Sequence, residues 1–329
     1  MRCIRRFCVK CANSNSQADP LKKRKLKRDL LTAYLALAAI CLIWGTTYLA
    51  LRIGVLHFPA FLFVVLRQLI SGTVLATIML TIGKVPWPTR DTIIRQSIAG
   101  FFMITMGNGL VAYAEILIPS GVAAIICSLM PMMVILINLT VNREEKPTIP
   151  IVLGVMVGLV GIIMIFGQHI EEFSNLQYQV GIILIFLAVV CWAGCSVWLK
   201  KKSEGNLFLN ASLQMFFGGV WTIPLSLLFD DFTIMSWSSE AIYSLAYLVV
   251  FGSVIAYACY SYALRKLPMT ILSLYAYVNP VVAVILGWLV LDEKLNALIV
   301  AAIGVTVAGI YIVNRGYYLS KLWKTQFTR

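Results

Sequence analysis

The chain has 329 residues, of which 60% are hydrophobic and only 12% are charged, and its mean hydropathy is +0.87. Soluble domains contain about 25% charged and about 45–50% apolar residues, so this composition excludes an ordinary soluble protein and indicates one with several membrane helices. The formal net charge of +13 would suit a nucleic-acid-binding protein. The positions of the charges along the chain decide whether the protein belongs to that class.

The apolar stretches predict ten transmembrane helices. Each is close to the ~20 residues that a helix needs to cross hydrocarbon, where the backbone must satisfy its own hydrogen bonds. In chain order the predicted helices cover residues 31 to 53, 58 to 82, 96 to 117, 119 to 141, 148 to 166, 178 to 199, 207 to 229, 240 to 264, 268 to 291 and 296 to 317. A basic arm at residues 1–30 precedes them and a basic tail at 318–329 follows them. No connection is long enough for a separate soluble domain.

A duplication divides these helices into two repeats, residues 31–166 and 178–317. Matching residues recur about 149 positions apart. The pairs are Trp44 and Trp192, Tyr113-Ala114 and Tyr262-Ala263, Pro119 and Pro268, Pro131 and Pro280, and Glu144 and Glu293. Each repeat has five helices, an odd number, so the two repeats must enter the membrane from opposite sides. This arrangement is typical of inverted-repeat transporters.

The basic residues predict the orientation of the chain. Of the 27 Lys and Arg residues, 24 lie in the arm, the tail and the loops of one face. Lys294 alone lies on the other face, while Arg52 and Arg67 lie within helices. Under the positive-inside rule both termini of this multi-pass membrane protein are cytoplasmic. This distribution excludes a nucleic-acid partner and leaves the arm as a topology determinant or a segment that binds anionic lipid.

The sequence offers no constellation for catalysis or for a cofactor. The only histidines, His57 and His169, lie in loops of different repeats, and there is no metalloprotease motif or glycine-rich phosphate loop. Cys8 and Cys11 form a C-x-x-C motif without a second pair or a histidine partner, which favours reduced cytosolic thiols over a metal site. We therefore predict no enzyme activity, no metal and no cofactor.

Polar side chains within the predicted helices mark either a substrate pathway or a buried pair, because they are costly in hydrocarbon. Arg67 either binds an anionic group of a substrate or ties helices together. Glu115, near the outer end of the third helix, either couples transport to protons or reaches interfacial water. Asn108 and Asn279 are candidates both for substrate contact and for hydrogen bonds between helices.

Prolines and glycines carry further structural signals. Pro131 and Pro280 each free a backbone carbonyl one turn earlier, which predicts a helix break near the midplane or a plain kink. Small residues recur along the fifth and tenth helices, which predicts that these helices pack closely on each other or on a second subunit. The residues of this pattern are Gly154, Gly158 and Gly161, with Gly304 and Gly309.

Several segments of both repeats follow one family pattern. They are residues 43–47 (Ile-Trp-Gly-Thr-Thr) with Pro59 and Arg67, 107–109 (Gly-Asn-Gly), Ala114-Glu115, 119–124 (Pro-Ser-Gly-Val-Ala-Ala), 275–284 and Asp292-Glu293. Through them the chain resembles the EamA branch of the drug/metabolite transporter superfamily. The resemblance implies a basket-like fold around a cavity lined by helices 1, 3, 4, 6, 8 and 9. It also implies a multi-pass protein of the plasma (inner) membrane of bacteria that exports amino acids or related metabolites.

The chain departs from the superfamily in one residue that couples transport to protons. Four-helix relatives couple protons through a glutamate in their first helix, and the first predicted helix here has no acidic residue. We expect a secondary transporter that works by alternating access on a small-molecule substrate in the lipid bilayer, as a monomer or a homodimer. The residues expected to contact the substrate are Trp44, Thr47, Asn108, Trp192, Tyr257, Tyr275 and Asn279. A channel-like facilitator, or a membrane sensor or assembly protein without transport, is the alternative.

Overall fold

The computed structural model describes residues 20–141, 149–168, 175–202, 205–272, 275–292 and 296–327. The described chain is helical, with α1 at Pro20–His57, α2 at Ala60–Ile82, α3 at Arg90–Leu117, α4 at Ser120–Val141, α5 at Ile149–Gln168, α6 at Leu176–Lys201, α7 at Leu207–Phe229, α8 at Ser239–Lys266, α9 at Tyr275–Leu291 and α10 at Ala297–Phe327. A single turn at Met269–Leu272 precedes α9. The C-x-x-C motif, Glu144 and Glu293 lie outside these ranges.

Seven helices in the described ranges are long and apolar enough to cross a membrane, namely α1 to α4 and α6 to α8. Val278–Leu291 and Ala297–Gly309 are shorter apolar helices. The predicted all-helical, multi-pass architecture is therefore confirmed for the described part of the chain. The count of ten crossings stays a prediction.

Three helices extend by six or more residues beyond their predicted ends. α1 begins at Pro20 and α10 continues to Phe327, because proline suits the first position of a helix and Lys, Arg and Leu favour its interior. α3 begins at Arg90 rather than at residue 96, since the Thr89 hydroxyl accepts a hydrogen bond from the Thr92 amide at 3.3 Å. Hydropathy detects only the apolar part of a helix and misses such polar ends.

Equivalent helices of the two halves run in opposite directions. Asp29, near the start of α1, forms an ion pair of 2.9 Å with Lys266 at the end of α8. Arg95, near the start of α3, donates to the Lys202 carbonyl just past the end of α6 at 3.0 Å. The ends of α6 and α8 are joined in turn, because Lys200 donates to the Leu267 carbonyl at 2.8 Å. The first and third helices of one half therefore start on the face where their counterparts end.

The helices of each half pack largely against helices of the other half. α1 packs on α8 and α9, while its counterpart α6 packs on α3 and α4, and α2 packs on its counterpart α7. Each half thus contributes its first helix to a group completed by the third and fourth helices of the other half. A central space is left between these two groups.

α5 and α10 pack mainly on each other, which is one of the two arrangements that the glycine pattern predicts. A Cβ atom added to Gly161 would clash with Thr306, and one added to Gly309 would clash with the backbone of Gly158. Gly304 faces open space instead. The glycines therefore allow the two helix backbones to approach closely.

Candidate substrate-binding site

A cavity occupies the central space, and it encloses about 830 Å³ between atoms when its opening to solvent is included. The structure brings all seven residues predicted to contact the substrate to its wall. These residues are Trp44, Thr47, Asn108, Trp192, Tyr257, Tyr275 and Asn279. Helices 1, 3, 4, 6, 8 and 9 line the cavity as the resemblance implied. α2 contributes as well, through Arg67 and Gln68.

Aromatic rings from both halves form one cluster in the wall. Trp44 lies edge to face with Trp192 at a centroid distance of 5.8 Å and with Tyr275 at 5.0 Å. Tyr257 lies 6.2 Å from Trp192. Tyr260, which was not predicted, packs 5.2 Å from Trp44 and supports the cluster from behind. Such pairs contribute about 0.5–1.5 kcal/mol each beyond the area they bury, so the cluster is a rigid apolar surface.

π-helical stretches interrupt α3 and α8 where these helices border the cavity. They cover Phe101–Gly109 and Leu248–Ile255, which overlap when the repeats are aligned. The wider turn shifts backbone groups out of the usual helical pattern and is frequent at functional sites. In α8 the Gly252 carbonyl accepts hydrogen bonds from Trp44 Nε1 at 3.1 Å and from Arg67 Nη2 at 3.3 Å.

Arg67 serves as a tie between helices and also lines the cavity. Its side chain is only 4% exposed, and Nε donates to the Ser253 hydroxyl at 2.8 Å, so it links α2 to α8. Nη1 makes no hydrogen bond to any residue within the described ranges. The two predicted roles are therefore compatible, since one edge of the guanidinium is used and another remains for a ligand.

Glu115 is fully buried at 0% exposure and does not reach interfacial water, so that alternative is wrong. Neighbouring α1 and α6 pack against this end of α3, which the position along one helix could not reveal. The carboxylate lies within electrostatic range of Arg67, Tyr48 and Cys127, three residues that line the cavity. It therefore stands behind the cavity wall and next to its only basic lining residue among those described.

The two asparagines differ in their surroundings. Asn279, with its amide nitrogen turned toward two carbonyls, donates to Tyr275 at 2.9 Å and to Cys41 at 3.1 Å. It therefore links α9 to α1 at the cavity wall. Asn108 lies in the π-helical stretch of α3, half-buried and facing the cavity. The Thr47 hydroxyl bonds to the Trp44 carbonyl of its own helix at 2.7 Å.

Two glutamines that the sequence reasoning missed bear on the site. Gln68 lines the cavity at 1% exposure, and its Oε1 has no hydrogen-bond partner within the described ranges. Gln214 of α7 accepts from the Tyr257 hydroxyl at 2.5 Å and donates to Gln96 of α3. The only available signal for them was that polar residues within a membrane helix are rare.

The helices differ at the two repeated prolines. The turn at Ser128–Leu129 divides α4 into Ser120–Cys127 and Met130–Val141, so a break directly precedes Pro131. α9 is continuous through Pro280, and the predicted break there is wrong within residues 275–291. Because Pro280 is only the sixth residue of α9, it removes a single early hydrogen bond, the one to the Ala276 carbonyl.

The model of the EamA-like transporter family matches two segments of the chain, residues 31–167 and 179–315. The chain belongs to this family. The two matches agree with the duplication that the sequence indicates. The oppositely directed helices show that the second repeat is inverted relative to the first. The seven residues on the cavity wall remain predicted contacts of an EamA-like transporter.

Relatives span nearly the same length. The chain is 31% identical to the uncharacterized inner membrane transporter YedA of Escherichia coli (strain K12), over 89% of this chain and 94% of YedA. It is 24% identical to the uncharacterized transporter YoaV of Bacillus subtilis, over 86% and 97%, and 26% identical to the protein PecM of Dickeya dadantii, over 77% and 82%. A solved crystal structure with 18% identity superposes with a TM-score of 0.65 over 85% of this chain, which supports the fold. This EamA-like chain is therefore a multi-pass membrane transporter for a small molecule.

Proposed function

We propose that this protein is a secondary transporter that exports amino acids or related small metabolites across the bacterial inner membrane by alternating access. Its two repeats, residues 31–166 and 178–317, would rock around the central cavity with both termini in the cytoplasm. The observation that carries the proposal is the meeting of Trp44 and Trp192, equivalent residues on oppositely directed helices, in one cavity wall. A site on the axis between inverted repeats can face either side of the membrane in turn.

The chemistry of the wall supports a zwitterionic substrate with an apolar side chain. Nη1 of Arg67 can donate to a carboxylate, and the buried Oε1 of Gln68 can accept from an ammonium. A buried acceptor left without a partner costs about 1–3 kcal/mol, which favours a ligand that donates to it. The rings of Trp44, Trp192 and Tyr275 would cover the apolar part.

Glu115 is our candidate for proton coupling. Among the described acidic residues it is the buried one, and it lies within electrostatic range of Arg67 in the cavity wall. A movement that changes the distance between Glu115 and Arg67 would therefore change how readily a proton binds. This gives the cycle a group that can load and release a proton.

Transport of a defined panel tests the proposal. Cells that lack or overproduce the protein would be loaded with the amino acids and their release measured. Overproduction should lower the internal level of at least one of them, and deletion should raise it. In proteoliposomes, a carrier should show saturable counterflow of that amino acid, which a channel-like facilitator would not. Unchanged levels across the panel, with the protein present in the membrane, would contradict the proposed substrate class.

A further inference from the structure

Arg52 and Lys200 make the same contact in the two halves of the chain. Arg52 follows Trp44 by eight residues, and Lys200 follows Trp192 by eight residues. Arg52 Nη1 donates to the Ile118 carbonyl at 3.4 Å. Lys200 Nζ donates to the Leu267 carbonyl at 2.8 Å and also to the Leu264 carbonyl. Since Ile118 and Leu267 are 149 positions apart, donor and acceptor are both duplicated.

The acceptors are equivalent helix ends. Ile118 closes α3 with a bond from its amide to the Ala114 carbonyl at 2.9 Å, and Leu267 closes α8 with a bond to Ala263 at 2.7 Å. A proline follows each of them, so the helix cannot continue and its last carbonyls lack helical partners. A cation at this end satisfies a carbonyl and complements the negative end of the helix dipole.

The two contacts lie on opposite faces of the helix bundle. Lys200 contacts the end of α8, and the adjoining Lys266 pairs with Asp29, the tenth residue of α1. Arg52 is 23 residues further along α1 than Asp29, which places it about 35 Å away at ~1.5 Å per residue. Each contact joins the first helix of a repeat to the corner between its third and fourth helices, and all of these helices line the cavity.

We propose that Arg52 and Lys200 are matched positioning residues, each of which restrains the widening of the cavity entrance on its own face of the bundle. The proposal rests on the alternating-access function proposed above. An entrance on either face can widen only if the first helix moves away from that corner, and this movement breaks the contact. In the present structure Lys200 makes two bonds whereas Arg52 makes one long bond, so the entrance on the Lys200 face is the more firmly restrained.

Side-specific labelling of a cavity cysteine tests this without any substrate. Cys127 lines the cavity and would be kept as the only cysteine of the full chain. Right-side-out and inside-out membrane vesicles would be treated with a small membrane-impermeant methanethiosulfonate. The readout is the ratio of the labelling rates from the two faces. A merely structural role would lower both rates or the yield of folded protein and would leave this ratio unchanged.

Lys200→Met removes both bonds and should shift the ratio at least about tenfold toward the Lys200 face, since about tenfold is the effect expected from the loss of one charge-assisted hydrogen bond. Arg52→Met should shift it toward the Arg52 face, by less because its bond is longer. Lys200→Arg should keep the wild-type ratio, since an arginine performs this role in the other repeat. Lys202→Met is the matched control, because that ammonium lies over the Trp198 ring rather than on a helix end.

An unchanged ratio in Lys200→Met, or a shift in the same direction in both variants, would overturn the proposal. If Lys200→Met does not fold, as judged by gel filtration in detergent, the ratio in Arg52→Met decides. The outcome is separable from the proposed function. A protein whose ratio shifts as expected but which moves no amino acid would refute the proposed substrate class and leave the two contacts in place.

Discussion

Trp44 and Trp192 occupy equivalent positions in the two halves of the chain and meet edge to face, with their ring centroids 5.8 Å apart. They come from α1 and α6, which run in opposite directions, so the pair lies where the two repeats face each other. Trp44 also bonds to the Gly252 carbonyl of α8, which couples this wall to a π-helical stretch. Movement of one repeat against the other would therefore act directly on the cavity wall.

The orientation can be tested with fusions. We expect a cytoplasm-specific reporter to be active after residue 329 and in the loop at residue 204, and a periplasm-specific reporter to be active at residue 172. The reason is the 24-to-1 division of basic residues between the two faces. Periplasmic activity at residue 204 or 329 would contradict the ten-helix arrangement.

Gly309→Ala should destabilise the protein, whereas Gly304→Ala should not. A Cβ at 309 meets the backbone of Gly158, which cannot move aside cheaply, and overpacking of this kind costs about 1–3 kcal/mol. The same change at 304 meets open space in the same helix and gains helix propensity. The measurement is thermal unfolding in detergent, where only the first variant should melt several degrees lower. Equal melting temperatures would show that the contact between α5 and α10 is not close.

Gln68→Met should remove a preference for substrates with an ammonium group. Methionine has a similar length but no acceptor, so a zwitterion such as phenylalanine should lose about tenfold in affinity, or about 1.4 kcal/mol. Phenylpropanoate, which lacks the ammonium, should be affected little. Binding can be followed through the fluorescence of the cavity tryptophans. If the ratio of the two affinities stays at the wild-type value, Gln68 does not recognise the donor group.

Arg67→Gln separates the two roles of the arginine. If Nη1 binds a carboxylate, transport of an anion should be abolished and that of a zwitterion weakened, at normal expression of a folded protein. If the bonds to Ser253 and Gly252 dominate, the variant should lose its folded gel-filtration peak in detergent. Ser253→Ala is the control, because it removes one of those bonds and leaves the guanidinium in place. Unchanged transport and stability would exclude both roles.

Much of the site could be predicted from the sequence, because spacing along a helix gives the depth of a residue in the membrane. This depth predicts Asn108 and Asn279 as substrate contacts, the duplication points to Trp44 and Trp192, and all four lie on the cavity wall. The burial of Glu115 could not be predicted in this way, since it depends on the neighbouring helices that cover it. The π-helical stretches and the bond between Tyr257 and Gln214 arise from packing of distant segments and leave no local pattern.

The equivalence of Arg52 and Lys200 was accessible in principle. Both follow a repeated tryptophan by eight residues, yet an arginine and a lysine are not recognised as a repeat by residue identity. Only their shared acceptor, the last carbonyl before a repeated proline, reveals the relationship. The same contact can therefore be present in both repeats although the residue type of the donor differs between them.

Glu115→Gln should uncouple transport from the pH gradient while substrate exchange continues. Transport driven by protons needs a group that changes charge during the cycle, and Glu115 is a buried carboxylate within range of the Arg67 charge. Glutamine keeps the shape and removes the titration, so gradient-driven uptake into proteoliposomes should fall to the level seen without a gradient. Counterflow of the same substrate should stay measurable, because it needs no net proton movement. Glu240→Gln, at an exposed position in the first turn of α8, is the control and should behave as the wild type does. Gradient dependence at the wild-type level in Glu115→Gln would eliminate the coupling role and leave Glu115 as the structural partner of Arg67.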